Sequence, residues 1–75
     1  MDTELLNEHV QVERKCFSFS LRENPRGRFL RITEDVGGRR DTIIVPSTGL
    51  TQVRDILNLA IDADEKAGPC HVELN

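Results

Sequence analysis

Apolar and polar residues alternate over most of the first 47 positions, a period of two that is typical of β-strands with one buried face. The alternation predicts a first strand around residues 5–13. In a second strand, Phe17, Phe19 and Leu21 share one side, with polar residues between them. A third strand is predicted from about residue 28 to residue 36.

Turn-forming residues separate these strands. The sequence Asn24-Pro25-Arg26-Gly27 predicts a tight turn, because proline presets the backbone at its second position and glycine accepts a left-handed conformation. Residues 37–41, which are rich in glycine and charge, predict a loop. The β-branched residues 42–45 predict a fourth strand that ends at Pro46.

The rest of the chain predicts one amphipathic helix. Ser47 or Thr48 is expected to cap its first turn, and Gly68-Pro69 is expected to end it. Residues 70–75 form either a short strand or a tail. The predicted order is therefore β-β-β-β-α. The apolar residues of the helix recur at helical spacing and form one stripe: Leu50, Val53, Ile56, Leu57, Ala60 and Ile61.

The length of the chain limits its core. A chain of 75 residues forms one domain at most, and one this short buries only about 60% of its unfolded surface. One helix covers only part of a four-stranded sheet, and this helix is apolar around much of its circumference. We therefore expect a dimer that buries a second face.

Several classes of protein are not expected. The apolar runs are far shorter than the roughly 20 residues that span a bilayer, and the acidic first residues do not resemble a secretion signal. We therefore expect an intracellular protein without a membrane segment. Reduced thiols at Cys16 and Cys70 are favoured over a disulfide, and with His9 and His71 they give no zinc-binding spacing. No metal or cofactor is expected.

Catalysis also has little support. The chain has no nucleophile elbow, zinc-protease motif, phosphate-binding loop or dinucleotide fingerprint. Glu34 and Asp35 are adjacent in a predicted strand, so their side chains point to opposite faces and do not converge on one substrate. We therefore expect a binding protein and not an enzyme.

The net charge of −3 conceals a basic segment. Such clustering predicts a basic surface, and the dominance of arginine favours phosphates and bases as ligands. The alternative is that four of the arginines, Arg22, Arg26, Arg28 and Arg31, only form cross-strand pairs with Glu23, Glu34 and neighbouring residues. Residues 14–40 hold three acidic side chains and eight cationic ones: Arg14, Lys15, Arg22, Arg26, Arg28, Arg31, Arg39 and Arg40.

Phe29 is the most informative residue of this segment. If Leu30 and Ile32 face the core, Phe29 and Arg31 face outward and combine a stacking platform with phosphate contacts. The alternative is a bulge near Gly27 that returns Phe29 to the core.

Two segments carry a family resemblance. They resemble the repeat of the purine-rich element binding (Pur-alpha) family, and their sequences are most similar to those of plant-type members. The segments are residues 15–32, KCFSFSLRENPRGRFLRI, and residues 42–50, TIIVPSTGL. The resemblance extends over about residues 4–66. It implies one repeat at residues 4–67 and a tail or short strand at 68–75.

The resemblance implies both a fold and a function. Such repeats have a Whirly-like α+β fold, a four-stranded antiparallel sheet followed by one helix, and two repeats intertwine. Members carry two or three repeats, so a chain with one is either an excerpt of a longer protein or a single-repeat protein that forms a homodimer. They bind single-stranded, purine-rich DNA and RNA, often with GGN repeats (N is any base), and can unwind duplexes locally. They act in transcription, replication and RNA transport, which implies a location in the nucleus, the cytoplasm or both. The alternative is a dimerisation or protein-interaction repeat with little nucleic-acid binding of its own.

Site residues follow from the pattern and the resemblance together. In the family, the position of Phe29 stacks on a base and helps to separate strands. The helix stripe is expected to supply the dimer interface through Val53, Ile56, Leu57, Ala60 and Ile61. The expected nucleic-acid contacts are Arg14, Lys15, Arg22, Asn24, Arg26, Arg28, Phe29 and Arg31.

Overall fold

The computed structural model describes residues 2–69 and confirms the predicted order of elements. Four strands come first, followed by a short 3-10 turn and one α-helix. The possible strand at residues 70–75 lies outside the described residues. The elements are β1 (Thr3–Val12), β2 (Lys15–Asn24), β3 (Gly27–Val36), β4 (Arg39–Pro46), the 3-10 turn (Ser47–Gly49) and α1 (Leu50–Ala67).

The strands form one antiparallel sheet in the order β1-β2-β3-β4. Short turns connect them, so neighbours in sequence are also neighbours in the sheet. At the turn between β2 and β3, the Asn24 side-chain oxygen accepts hydrogen bonds from the backbone N–H of Arg26 at 2.9 Å and of Gly27 at 3.2 Å. This confirms the predicted tight turn and shows how the asparagine side chain closes it.

The predicted loop at residues 37–41 was wrong. Only Gly37 and Gly38 form the turn, and Arg39 already belongs to β4. Both glycines have positive φ, 60° and 89°, the backbone conformation that a two-residue hairpin of this kind requires. The charged residues after them pair with β3, because cross-strand hydrogen bonding outweighs their weak strand propensity.

The expected cap of the helix by Ser47 or Thr48 was also wrong. These residues form the 3-10 turn, and Gly49 precedes α1 without any side-chain hydrogen bond to the helix. The C-terminal end agrees with the prediction. Gly68 has a φ of 85°, and its N–H donates to the Glu65 carbonyl at 3.2 Å. No helix among residues 2–69 is long and apolar enough to cross a membrane.

Strand register divides the sheet into two chemically different faces. Leu30 pairs with Leu21 and Val45, whereas the next residue, Arg31, pairs with Ser20 and Ile44. The apolar face contains Leu6, Val10, Phe17, Phe19, Leu21, Leu30, Ile32, Ile43 and Val45. The polar face contains Glu4, Asn7, His9, Gln11, Cys16, Ser18, Ser20, Arg22, Asn24, Phe29, Arg31, Thr33, Asp35, Arg40, Thr42 and Ile44.

Residues 2–69 of a single chain form no buried core. None of the side chains described in residues 2–69 is buried, and α1 makes no extensive contact with any strand. Ile56 and Leu57 of α1 are 65% and 58% exposed. The accessible surface is 6314 Å², whereas a folded monomer of 8.5 kDa exposes about 4,700 Å². The exposed large hydrophobic side chains, such as Ile43 at 60% and Leu59 at 68%, belong to surfaces that a folded monomer would cover.

Candidate nucleic-acid interface

The polar face concentrates its functional groups at the end of the sheet where β2 turns into β3. Phe29 of β3 lies directly between Arg22 of β2 and Pro46 of β4. In the next row of the same face, Arg31 lies between Ser20 and Ile44. The register therefore brings an aromatic ring and two guanidinium groups together on one side of the sheet.

Phe29 lies on the opposite side of β3 from Leu30 and Ile32, with no bulge in the pairing of β2 with β3. Its side chain is half-buried by its neighbours on the polar face. A shallow depression of about 190 Å³ borders it, and the other residues that line it are Asn24, Arg26, Gly27, Arg28, Ile44 and Pro46. An open, partly apolar depression beside an aromatic ring has the shape and chemistry to receive a flat base.

The eight expected contact residues do not all share this face. Arg22, Asn24, Phe29 and Arg31 do. Arg14 and Arg26 lie in the turns at opposite ends of β2. The alternation places Lys15 and Arg28 on the apolar face.

Lys15 and Arg28 are also neutralised where they lie. Lys15 Nζ is 2.8 Å from Glu34 Oε2, and Arg28 Nη2 is 2.9 Å from Glu23 Oε2. The alternative interpretation of the basic segment, cross-strand ion pairing, therefore describes these two residues. It does not describe Arg31, which has no carboxylate within ion-pair distance among residues 2–69.

Arg22 has partners on its own face. Its Nη1 lies 3.1 Å from Glu4 Oε2 and 3.2 Å from Ser20 Oγ, and its Nε lies 3.4 Å from Asp2 Oδ2. The Arg22 side chain is 22% exposed, so these neighbours cover much of it. These contacts hold the Arg22 side chain in place, and two carboxylates already occupy its N–H groups.

Glu4 is the acceptor at the centre of this cluster. Hydrogen bonds from Ser20 Oγ at 2.9 Å and Asn7 Nδ2 at 3.1 Å lower the pKa of Glu4, and the positive charges of Arg22 and Arg31 lower it further. Together these effects outweigh desolvation, which raises the pKa and is a larger effect than either arginine charge alone. Glu4 is thus held as a carboxylate on the polar face.

Asn24 has a structural role in the described chain. Its side-chain oxygen closes the turn, and its amide nitrogen lies 3.4 Å from Asp2 Oδ1. A base would therefore reach only the remaining amide hydrogen. The main role of the Asn24 side chain in the described residues is therefore to hold the turn that carries Arg26.

Sequence reasoning missed the contribution of β1 and β4 to this face. Asn7, His9 and Gln11 of β1 share it, as do Arg40 and Thr42 of β4. The alternation of β1 already separates His9 and Gln11 from the valines, but only cross-strand register shows that they lie beside Ser18 and Cys16. Arg40 belongs to the segment that was predicted to be a loop, so the sequence did not indicate on which face of the sheet its side chain lies.

The residues expected at the dimer interface all lie on α1 and all are exposed. Val53 is the least exposed of the large side chains among them, at 37%. Leu59, outside the predicted stripe, is 68% exposed and widens the apolar surface of the helix. The helix therefore exposes more apolar surface than the stripe alone indicated.

Comparison with known proteins agrees with this architecture. The family model described as PurA ssDNA and RNA-binding protein matches residues 2–69. Transcription factor Pur-alpha 1 of Arabidopsis thaliana is 47% identical over 64 residues, which cover 85% of this chain and 22% of that protein. The chain thus spans about a fifth of the length of this relative. These matches confirm the resemblance to plant-type members, and the chain belongs to the PurA family of single-stranded DNA- and RNA-binding proteins.

Proposed function

We propose that this chain, through the repeat at residues 4–67, binds single-stranded, purine-rich DNA or RNA on its polar face. The observation that carries the proposal is the row of Arg22 and Phe29 with Arg31 beside it. Stacking on Phe29 binds bases, and the guanidinium groups bind the phosphates that flank them. The membership of the chain in the PurA family supports this assignment.

The preference for purines follows from the same chemistry. A purine offers a larger flat surface to Phe29 than a pyrimidine does, and preferences in such sites arise mainly from stacking. Phe29 lies close to the hairpin end of the sheet, and we propose that its ring enters between bases at a duplex end. Local unwinding of duplexes is therefore part of the proposal.

The proposed partner on the other face is a second copy of this chain. The excess accessible surface of about 1,600 Å² per chain would give an interface of roughly 3,200 Å² in a dimer, within the range of obligate homodimers. An 18-residue helix is about 27 Å long, and a 10-residue strand is about 33 Å long. The α1 helix of one copy is thus long enough to lie along most of the length of a strand on the apolar face of the other, in an intertwined dimer.

The cellular role proposed here is regulation of transcription inside the cell, in the nucleus or cytoplasm. It rests on the relative named transcription factor Pur-alpha 1 and on the binding of single strands. We propose a binding role without catalysis.

Fluorescence anisotropy with a labelled strand of GGN repeats tests the proposal. Competition with a pyrimidine strand and with the matching duplex measures preference, and a salt series measures the phosphate contribution. Contacts by five arginines predict a slope of log K against log salt near −3.5, because each phosphate contact on a single strand contributes about −0.7. These are the three polar-face and two turn arginines: Arg14, Arg22, Arg26, Arg31 and Arg40. Arg40 is 73% exposed, and a phosphate would replace Asp35 Oδ2, which lies 3.1 Å from its Nε.

A second candidate function is a dimerisation or interaction repeat with little nucleic-acid binding. The exposed apolar surface of α1 and the carboxylates already at Arg22 favour it. In that case the GGN strand does not bind at low salt, and sedimentation shows a dimer whose association responds weakly to salt.

A further inference from the structure

An irregularity in β1 places the negative charge of Glu4 on the polar face. The pairing of β1 with β2 shifts by one residue between Glu4 and Leu6, which leaves Leu5 as a bulge. Because side chains alternate along a strand, a regular β1 would place Glu4 on the same side as Leu6, the apolar face. The bulge instead places Glu4 opposite Arg22, on the polar face.

The consequence is that two carboxylates take the positions around Arg22 that phosphate oxygens would otherwise take. Glu4 Oε2 lies 3.1 Å from Arg22 Nη1, and Asp2 Oδ2 lies 3.4 Å from Arg22 Nε. Carboxylate and phosphate oxygens are alternative acceptors for the same guanidinium N–H groups. Glu4 is held there by Ser20 and Asn7 as well.

We propose that Asp2 and Glu4 compete within the chain for Arg22, so that a nucleic-acid phosphate reaches Arg22 only after displacing them. This inference rests on the proposed nucleic-acid binding. Arg31, in the next row, has no such competitor among residues 2–69. The two carboxylates thus set the affinity of the face by masking one of its two central arginines.

The test compares affinities for the labelled GGN strand at low salt in wild type, Asp2→Asn, Glu4→Gln and the double variant. Each single substitution is expected to tighten binding about twofold to fivefold, the range of an exposed ion pair. Glu65→Gln on α1 removes the same charge away from Arg22 and is expected to change affinity less than twofold.

The same substitutions in an Arg22→Gln background separate competition from general charge repulsion. Competition requires Arg22, so both carboxylate substitutions are expected to leave the affinity of that background unchanged. Equal tightening with and without Arg22 would overturn the inference, as would wild-type affinity in the double variant. Asp2→Asn serves as the second variant if Glu4→Gln disturbs folding, because Asp2 lies outside the paired part of β1.

Failure of the proposed function has a different outcome. If neither wild type nor the double variant binds the GGN strand, nucleic-acid binding itself is contradicted and the inference falls with it. If the double variant binds where wild type does not, both are supported.

Discussion

Replacement of Phe29 by alanine is the sharpest test of the polar face. The side chain lies on the opposite side of β3 from Leu30 and Ile32, so its loss removes no contact from the apolar face. Stacking of one base on an aromatic ring contributes about 1–3 kcal/mol. Phe29→Ala is therefore expected to weaken binding of the GGN strand about 5- to 150-fold.

Phe19→Ala is the matched control for this experiment. Phe19 lies on the neighbouring strand but on the apolar face, opposite Ile32. If a second copy covers that face, removal of this ring costs about 3–5 kcal/mol of stability. The affinity of the protein that remains folded and dimeric is expected to stay at the wild-type value, because Phe19 does not reach the polar face.

The assay combines fluorescence anisotropy with thermal unfolding followed by circular dichroism. Phe29→Ala is expected to lower the affinity for the GGN strand and leave the unfolding temperature unchanged. Phe19→Ala is expected to lower the unfolding temperature and leave the affinity unchanged. Loss of cooperative unfolding in Phe29→Ala would show that Phe29 packs in the core of the assembled protein. Unchanged affinity in a folded Phe29→Ala variant would refute stacking on this residue.

Three further predictions test the charge and the assembly of the protein. Arg31→Gln is expected to flatten the salt slope by about 0.7, because it removes one phosphate contact. Arg54→Gln, which removes the same charge from α1, is expected to leave the slope unchanged. Equal slopes in the two variants would contradict a phosphate contact at Arg31. Ile56→Asp is expected to cause dissociation and unfolding together, measured by sedimentation and circular dichroism, and a folded monomer would contradict the intertwined dimer. The pKa of Glu4 is expected to lie below its ordinary value of 4.5 in an NMR titration, because Ser20 and other donors favour the carboxylate. Its stabilising effect is therefore present above pH 4.5 and is lost as the pH falls through the lowered pKa, so that wild type and Glu4→Gln converge in stability on acidification.

Much of the fold was predictable because local rules and tertiary structure agree. The period-two pattern of Phe17, Phe19 and Leu21 identifies a strand with one apolar face, and the turn at residues 24–27 fixes where it reverses. A two-residue turn also sets the register of the two strands that it connects. Phe29 therefore pairs with Arg22 on the polar face, and Leu30 pairs with Leu21 on the apolar face. The order of elements and the side of Phe29 follow from these two signals.

The parts that were not predictable depend on long-range pairing. Charged residues after Gly38 have weak strand propensity, and they join β4 only because β3 is beside them. The bulge at Leu5 has no local signal, yet it moves Glu4 to the other face. For the same reason Lys15 and Arg28 could not be separated from Arg22 and Arg31 by composition, since all four belong to one basic segment.

The alternation that creates two faces also links binding to assembly. Each strand assigns alternate residues to the polar face and to the apolar face, so the two surfaces share one backbone and neither exists without the sheet. A single chain leaves its apolar face uncovered and has no buried side chain among residues 2–69. If a second copy supplies the missing core, the sheet is ordered only in the dimer, and its stability depends on protein concentration. Dilution below the dimer dissociation constant would then remove the polar face together with the apolar one. The apparent affinity for a single strand would fall on dilution even though Arg22, Phe29 and Arg31 are unchanged, and an added strand would in turn favour the dimer.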